Sequence, residues 1–352
     1  MLRQIARLGR GVPWAGERAL AIAVYGDAEG AAVPAQEAGY EGVACVDDAA
    51  RALELYCDLW QATRLPWALR WCEGLLEFVL AMQDEDGRWV NFILDWEGTR
   101  NREGRTSVAG GGFWQARALL ALAHASRTLT DERIDGALQR GLAHTGATDV
   151  PPDVRVLHMM TALALLVDAE DVELLSLLAT WSDEVMSCRR GDMLMNSPFE
   201  RGHPHLWGHL QEGVLADAGV RLGRDDLVLV ARRSAELVFS ETVRAGFAQG
   251  RTQPYDVASA VYVLSRLADV TGASEYSALA VAARGWFDGR NPAGRPVYSR
   301  GAGRIGDGVD GHRVSTESGA EANIVGAQAL FDDAVTLARR LTSSEALPTS
   351  VG

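Results

Sequence analysis

The pattern that indicates the fold class is carried by SVAGGGFWQARALLALAHASRTLTDERIDGALQRGLAHT, residues 107–145. Apolar residues recur every three or four positions on both sides of the polar turn TLTD at residues 128–131. This period is typical of amphipathic helices, and a turn that short joins antiparallel neighbours. The stretch therefore predicts a helical hairpin.

The same period recurs along the whole chain, and only WVNFIL, residues 89–94, alternates enough to suggest a strand. The segments with the helical period are residues 13–25, 43–62, 66–82, 107–127, 131–145, 151–168, 170–187, 205–222, 224–240, 253–271, 273–289 and 316–341. A sheet is therefore not the scaffold, and twelve helices are expected.

The connections between these segments alternate in length. Short turns follow the second, fourth, sixth, eighth and tenth helices. The long connections are residues 26–42, 83–106, 188–204, 241–252 and 290–315. In an up-and-down helical array, the connections that follow odd-numbered helices all lie at one end of the array, and those that follow even-numbered helices lie at the other end. The pattern predicts an all-α (α/α)6 toroid of six helical hairpins with an inner and an outer ring, rather than an open solenoid, because no repeat consensus is visible.

Composition sets the class of partner. The chain has 352 residues, 47% hydrophobic and 23% charged, which predicts one globular domain over residues 1–342 and a disordered tail over 343–352. The net charge of −13 and the scattered arginines disfavour nucleic acid and an anionic membrane. No unbroken apolar run suits a membrane span, and the four cysteines lack CxxC spacing, so a cytoplasmic protein without metal or cofactor is expected. The oligomeric state stays open.

Two adjacent acids open the second helix in the sequence CVDDAAR, residues 45–51. One acid there could be an N-cap or a partner of the helix dipole. Adjacent side chains point in different directions, so both are hard to explain as caps. Asp47 and Asp48 are therefore candidates for a catalytic base.

A second pair of acids, Glu317 and Glu321, is predicted on one face of the last helix because the two residues are four apart. Neither glutamate has an arginine four positions later in the sequence, so their mutual repulsion is not compensated within the helix. A carboxyl group that a neighbouring carboxylate keeps neutral is what a general acid requires. The alternative is a solvated helix start.

Aromatic and polar residues gather in the same long connections and first turns. Flat aromatic side chains among polar groups suit a sugar ring, which has apolar C–H faces and polar edges. The candidate substrate-binding residues are Tyr40, Trp89, Asp95, Trp96, Arg102, Arg105, Trp114, His205, Trp207, His209, Gln253, Tyr255, Asp256, Asn291, Tyr298 and Asp307. Core packing is the alternative for each aromatic residue.

The sequence HPHLWGHLQE, residues 203–212, raises the question of a metal. His205 and His209 have the spacing of a helical metal-binding pair. The HExxH pattern is absent and no Cys/His cluster accompanies the pair, so hydrogen bonding to a substrate is the preferred interpretation.

Four stretches resemble bacterial proteins of the six-hairpin glycosidase superfamily, some of which are fused to glycosyltransferases. The stretches are GYEGVACVDDAARAL at 39–53, NFILDWEGTRNREGRTS at 91–107 followed by GGFWQARALLALA at 111–123, QPYDVASAVYVLSRLADVTG at 253–272, and GWFDGRNPAGRPVYSRGAGRIGDGVDGHRVSTESGAEANIVGAQAL at 285–330. The resemblance covers about residues 25–335. It implies an (α/α)6 toroid that acts on carbohydrate.

The order of the acids also resembles that of inverting endoglucanase toroids, which implies Asp47 or Asp48 as base and Glu317 or Glu321 as acid. A glycoside hydrolase with paired carboxylates is the leading hypothesis, with a saccharide as partner. A polysaccharide lyase or uronate epimerase, in which arginines such as Arg102 hold the substrate, is the second. A non-catalytic saccharide-binding module is the third.

Overall fold

The structure is a computed structural model, and it describes residues 1–33, 41–147, 149–167 and 169–348. The chain divides into two compact units. Unit 1 comprises Met1–Ala147, Tyr298–Asp307 and Thr316–Gly352, and unit 2 comprises Thr148–Val297 and Gly308–Ser315. The single domain predicted over residues 1–342 stays a prediction.

Unit 1 contains eight α-helices among its described residues. They are α1 (Leu2–Leu8), α2 (Val46–Thr63), α3 (Pro66–Ala81), α4 (Gly112–Ser126), α5 (Arg133–Leu142), α13 (Ala320–Ala329), α14 (Phe331–Ala338) and α15 (Ser343–Ala346). Its short strands form antiparallel pairs: β1 (Gly9–Gly11) with β2 (Leu20–Ile22), β3 (Ala44–Cys45) with β4 (Phe92–Ile93), and β7 (Tyr298–Ser299) with β8 (Arg304–Ile305).

Unit 2 contains the helices α6 to α12. They are α6 (Pro152–Leu165), α7 (Val172–Ser187), α8 (Gln211–Leu222), α9 (Asp225–Ala235), α10 (Glu241–Arg244), α11 (Pro254–Thr271) and α12 (Ser274–Arg284). A π-helical turn, Glu236–Ser240, joins α9 to α10, and a 3-10 turn, Gly285–Asp288, follows α12. The strand pairs are β5 (Arg189–Arg190) with β6 (Met193–Leu194), and β9 (Val309–Asp310) with β10 (Arg313–Val314).

The predicted short turns do join packed helices. In unit 1, α2 packs on α3 and α4 on α5, and in unit 2, α6 packs on α7, α8 on α9 and α11 on α12. The hairpin of α2 and α3 shows why such helices pack together. The rings of Tyr56 and Trp71 stack with their centres 4.8 Å apart, and both residues are fully buried. Burial of two such rings stabilises the hairpin by several kcal/mol, on the order of 2 to 3 for each side chain.

The first predicted helix, residues 13–25, is wrong. Residues 20–22 form strand β2, all three are buried, and they pair with β1, while the helix of this region is α1. Pro13 and Gly16 precede the apolar run and break the helical period. Helix α1 instead buries Leu2, Ile5 and Leu8, which form the apolar stripe of a segment for which no helix was predicted.

The last predicted helix, residues 316–341, is shorter and broken. Its N-cap is Gly319 in an extended conformation, and α13 ends at Ala329. The C-cap Leu330, where φ is −107° and ψ is 42°, separates it from α14. The backbone before the cap is held by loop contacts, since the Glu317 carbonyl accepts from the Asp307 N–H at 2.9 Å. Glu317 therefore lies outside the helix that carries Glu321, which corrects the prediction of one shared helical face.

The end of the described chain also differs from the disordered tail predicted from residue 343. Helix α15 has a capping box in which Thr342 and Glu345 exchange hydrogen bonds. The Trp71 indole N–H donates to the Ala346 carbonyl at 2.7 Å, and Ala346 is buried. A short capped turn against a buried tryptophan orders this segment. Among the described residues, no helix is long and apolar enough to cross a bilayer.

Candidate functional site: an acid–arginine cluster in unit 1

The start of α2 is capped by groups other than its two aspartates. The Cys45 sulfur accepts from the Asp48 N–H at 3.4 Å, and the Asn91 side-chain oxygen accepts from the Asp47 N–H at 3.1 Å. Pairing of β3 with β4 brings Asn91 to this position, where its carbonyl also accepts from the Val46 N–H. Both aspartate side chains are therefore available for other contacts.

Those contacts converge on Arg51, one turn further along α2. Its Nη1 donates to Asp48 Oδ1 at 2.7 Å, and its Nη2 donates to Asp47 Oδ2 at 3.1 Å and to Glu321 Oε1 at 2.8 Å. The arginine side chain is 6% exposed, while those of Asp47 and Glu321 are 22% and 42% exposed. With Arg117, these residues form what we call the acid–arginine cluster.

The second arginine of the cluster, Arg117 on α4, holds the other oxygen of Asp47. Its Nη1 donates to Asp47 Oδ1, and its guanidinium lies 4.9 Å from the centre of the Phe113 ring. Burial alone would raise the pKa of Asp47, but the charges of Arg117 and Arg51 outweigh it and hold this pKa below its usual value. Asp47 is therefore an anion at neutral pH.

Asp48 is in the opposite state. Burial is the main cause that raises its pKa, the charge of Arg51 opposes the rise, and the carboxylates of Glu321 and Asp47 add to it, so that the pKa is about 7. Two adjacent carboxyl groups thus have pKa values moved in opposite directions by their surroundings. Such a divergence is the usual sign of separate acid and base roles, although structural ion pairs produce it as well.

The raised pKa of Asp48 predicts how stability depends on pH. The folded pKa of about 7 lies above 3.8, the usual pKa of an aspartate, so the folded state binds this proton more tightly than the unfolded state. The contribution of Asp48 to stability is therefore present below pH 4 and is lost as pH rises towards 7. We expect Asp48→Asn to flatten this slope in urea unfolding measured from pH 4 to pH 8, whereas an unchanged slope would remove Asp48 as its source.

Sequence reasoning missed the arginines of the cluster. Arg51 stands three and four positions after the two aspartates, so its pairing within α2 was readable from helical spacing. Its bond to Glu321 joins residues 270 positions apart, and that of Arg117 to Asp47 joins residues 70 apart. Neither of these contacts has a local signal.

Two of the residues predicted as aromatic platforms donate hydrogen bonds to backbone carbonyls. Trp89 is fully buried, and its indole N–H donates to the Val79 carbonyl at 2.8 Å. The indole N–H of the half-buried Trp114 donates to the Trp89 carbonyl at 3.0 Å. This corrects the prediction for Trp89, whose ring offers no face to a ligand because α3 and its neighbours cover it.

The predicted residues of the connection between β4 and α4 contact residues of that connection, of β1 and of the segment after α3. Asp95 accepts from the Thr99 N–H at 3.0 Å, and the Arg10 guanidinium lies 4.9 Å from the centre of the Trp96 ring. Arg102 forms a two-pronged ion pair with Asp84 at 2.7 and 2.8 Å. Arg105 is exposed.

The remaining predicted residues of unit 1 lie near the start of α13, except Tyr40, which lies outside the described residues. Tyr298 is 5% exposed in β7, with the Arg300 guanidinium 4.8 Å from its ring centre. Asp307 accepts from the Gly319 N–H at 2.7 Å and so supports the turn that leads into α13. Glu317 is exposed and lies in the segment that precedes α13.

In unit 2, the predicted histidines and aromatics lie just before α8 and at the start of α11. His205 is exposed, its Nδ1 is 2.9 Å from the Trp207 carbonyl, and Trp207 meets Tyr255 edge to face with centres 5.8 Å apart. His209 is fully buried and contacts Glu212 Oε1 at 2.9 Å. Both histidines precede α8, so they are not the helical pair that the spacing suggested.

The other predicted residues of unit 2 shape its loops. Gln253 and Asp256 form the capping box of α11, in which the Gln253 N–H donates to Asp256 at 2.8 Å. The Asn291 side-chain amide donates to the carbonyls of Trp286 and Arg295 at 2.7 and 2.9 Å. Over the described residues, no group of three or more His, Cys, Asp or Glu side chains has an arrangement that could hold a metal ion.

No protein-family model matches this chain, and the curated protein sequences contain no significant match to it. Solved structures do resemble it. A sugar epimerase from a ruminal bacterium has a TM-score of 0.68 at 12% identity, over 92% of this chain and 93% of its own. Cellobiose 2-epimerase from Bacillus thermoamylovorans has a TM-score of 0.65 at 10% identity, over 97% and 96%.

A third likeness is to the cellulase Cel9M of C. cellulolyticum, with a TM-score of 0.58 at 9% identity over 96% of each chain. At such identities a structural likeness establishes the fold and leaves the activity open. The fold class predicted from the sequence, an all-α fold of the (α/α)6 toroid class, is confirmed.

Proposed function

We propose that this protein is a carbohydrate-active enzyme in which Glu321 of the acid–arginine cluster is the general acid and base and Asp47 is the nucleophile. These are the two carboxylates of the cluster that reach solvent, with side chains 42% and 22% exposed, whereas the Asp48 side chain is 5% exposed. A group that touches substrate must be reachable. Asp48 therefore acts as a positioning residue through Arg51.

One observation carries the proposal. Arg51 Nη2 lies 3.1 Å from Asp47 Oδ2 and 2.8 Å from Glu321 Oε1, so these two oxygens are at most about 6 Å apart. Retaining glycosidases hold their carboxyl groups roughly 5 to 5.5 Å apart, and inverting ones roughly 6.5 to 9.5 Å. The upper bound on the separation of these two oxygens fits the short, retaining arrangement, which the proposal adopts in place of the inverting one implied by the endoglucanase resemblance.

In this mechanism Asp47 attacks the anomeric carbon while Glu321 protonates the departing glycosidic oxygen. Arg117 and Arg51 keep Asp47 ionised, as a nucleophile requires. Water then cleaves the glycosyl–enzyme bond, with Glu321 taking the proton of that water. The net charge of −13 supports a neutral saccharide rather than a polyanion as substrate.

A second candidate is epimerisation of a reducing sugar. The likenesses to a sugar epimerase, a D-mannose isomerase and cellobiose 2-epimerase have TM-scores of 0.65 to 0.68, against 0.55 to 0.58 for the cellulases. In this reaction one carboxylate removes the proton beside the carbonyl carbon and a second carboxyl group returns it on the other face. Asp47 and Glu321 are the two carboxyl groups of the cluster that reach solvent.

One incubation separates these candidates. With neutral oligosaccharides in D2O, a hydrolase releases new reducing ends and leaves carbon-bound hydrogens unexchanged. An epimerase incorporates deuterium at the carbon beside the carbonyl and releases no reducing ends. We expect the first result, measured by a reducing-end assay and by NMR. The absence of both changes would contradict enzymatic action on these sugars and leave a saccharide-binding module, and ultraviolet absorbance growing with a uronate polymer would indicate a lyase.

A further inference from the structure

A half-buried aromatic ring contacts the acid–arginine cluster in unit 1. Phe113 lies in the first turn of α4, and the centre of its ring is 4.9 Å from the Arg117 guanidinium. That guanidinium donates to Asp47, whose side chain is 22% exposed. A single charged group therefore joins the ring to the proposed nucleophile, and both Phe113 and Asp47 reach solvent.

The accessible surface of Phe113 is not the part that Arg117 covers. The Arg117 side chain is 3% exposed, so the contact between the guanidinium and the ring is closed to solvent. The solvent-accessible surface of Phe113 lies away from that contact. A ligand can pack there without displacing Arg117 from Asp47.

The residues before Phe113 leave the start of α4 without side chains. Gly110, Gly111 and Gly112 precede the ring in the sequence. Gly111 is an extended N-cap with no side-chain capping bond, and Gly112 is exposed. A backbone without Cβ atoms permits the close approach of a ligand. The glycine run therefore suits a binding surface at this helix start.

The next aromatic residue, Trp114, is committed to the backbone. Its indole N–H donates to the Trp89 carbonyl at 3.0 Å, and its ring fills the space where a side chain at Gly111 would begin. These contacts hold the indole in place. Phe113 has no polar atom in its side chain to satisfy, so its ring is suited to packing on an apolar face of a ligand.

We propose that Phe113 packs on the C–H face of a sugar ring bound beside Asp47 and Glu321, and so gives the site its preference for a cyclic, neutral saccharide. This inference rests on the proposed function, because those two carboxyl groups mark where the sugar lies. A pyranose has an apolar face that an open-chain polyol lacks. The phenyl ring takes no part in proton transfer, so it acts through affinity and orientation.

Calorimetric titration and steady-state kinetics of the full chain test the proposal, with cellobiose, maltose and lactose as ligands and sorbitol as an open-chain polyol. We expect at least one disaccharide to bind more tightly than sorbitol. Phe113→Leu should weaken its binding and raise its KM roughly three- to tenfold, with kcat changed less than about twofold. Phe113→Tyr keeps an aromatic ring and should restore most of the affinity.

The matched control is Phe199→Leu, the same substitution at a phenylalanine of unit 2 that is 88% exposed. This variant should bind and turn over sugars as the unmodified protein does. The division of the effect between KM and kcat separates contact with substrate from support of Arg117. If Phe113 only held Arg117 against Asp47, Phe113→Leu would lower kcat with KM unchanged, and this result would overturn the proposal.

Failure of this inference and failure of the proposed function give different results. Turnover with the same KM and affinity in Phe113→Leu overturns the inference and leaves the function standing. Disaccharide binding that weakens in Phe113→Leu, without any turnover, supports the inference and contradicts the hydrolase. Sorbitol binding as tightly as every disaccharide overturns the inference. Absence of binding and turnover with all of these sugars overturns both.

Discussion

Glu321→Gln is expected to lower kcat on a neutral oligosaccharide by about 10²- to 10⁴-fold, the usual contribution of a general acid. The amide has nearly the shape of the carboxyl group but cannot give up a proton to the leaving oxygen. Arg51 keeps its bonds to Asp47 and Asp48, so the free energy of unfolding should change by less than about 1 kcal/mol. Steady-state kinetics and a thermal melt measure both quantities.

The chain offers a matched control in Glu317→Gln. Glu317 is also a glutamate at the approach to α13, but it is exposed and lies before the helix cap. This variant should retain full activity. If Glu317→Gln is inactive and Glu321→Gln is active, the assignment of the acid is wrong.

A change of leaving group separates acid catalysis from a structural role. An aryl glycoside with an acidic phenol needs little protonation to depart, so Glu321→Gln should lose far less on this substrate than on an oligosaccharide. Asp47→Asn should be inactive on both, because each requires the nucleophile. Equal losses of Glu321→Gln on both substrates would contradict its role as a proton donor.

Arg51→Met is expected to destabilise the protein by about 3 to 5 kcal/mol, as loss of one partner of a buried ion pair usually does. The arginine side chain is 6% exposed and bonds three carboxylates, of which Asp48 is as deeply buried. Methionine fills a similar volume but leaves these carboxylates without the positive charge of the arginine. Chemical denaturation at pH 7 measures the loss.

The loss should shrink as pH falls, which separates electrostatics from packing. Without Arg51 the pKa of Asp48 rises further, because burial is then less opposed, and a protonated carboxyl group needs no counter-charge. Arg102→Ala is the control, since its ion pair with Asp84 has an arginine side chain that is 55% exposed and should contribute less than about 1 kcal/mol. A penalty for Arg51→Met that is the same at pH 5 and pH 8 would contradict this account.

Much of the fold was readable because the signals that specify it are local. The helical period and the short turns predicted five packed hairpins, since both depend on residues within one or two turns of each other. The same reasoning failed at residues 13–25, where strand pairing between β1 and β2 overrode an apolar run. It also failed at Leu330, which breaks the last helix without a glycine or proline to mark the break.

In the candidate site too, the contacts readable from the sequence are those between residues close together along the chain. Helical spacing in the sequence places Asp47, Asp48 and Arg51 within one turn of α2, although only the two aspartates were singled out from it. The tertiary structure adds that Glu321 and Arg117 bond to this group and that burial raises the pKa of Asp48 to about 7. The physical reason is that burial and the charges of residues distant along the chain set these properties, and neither is encoded in local spacing.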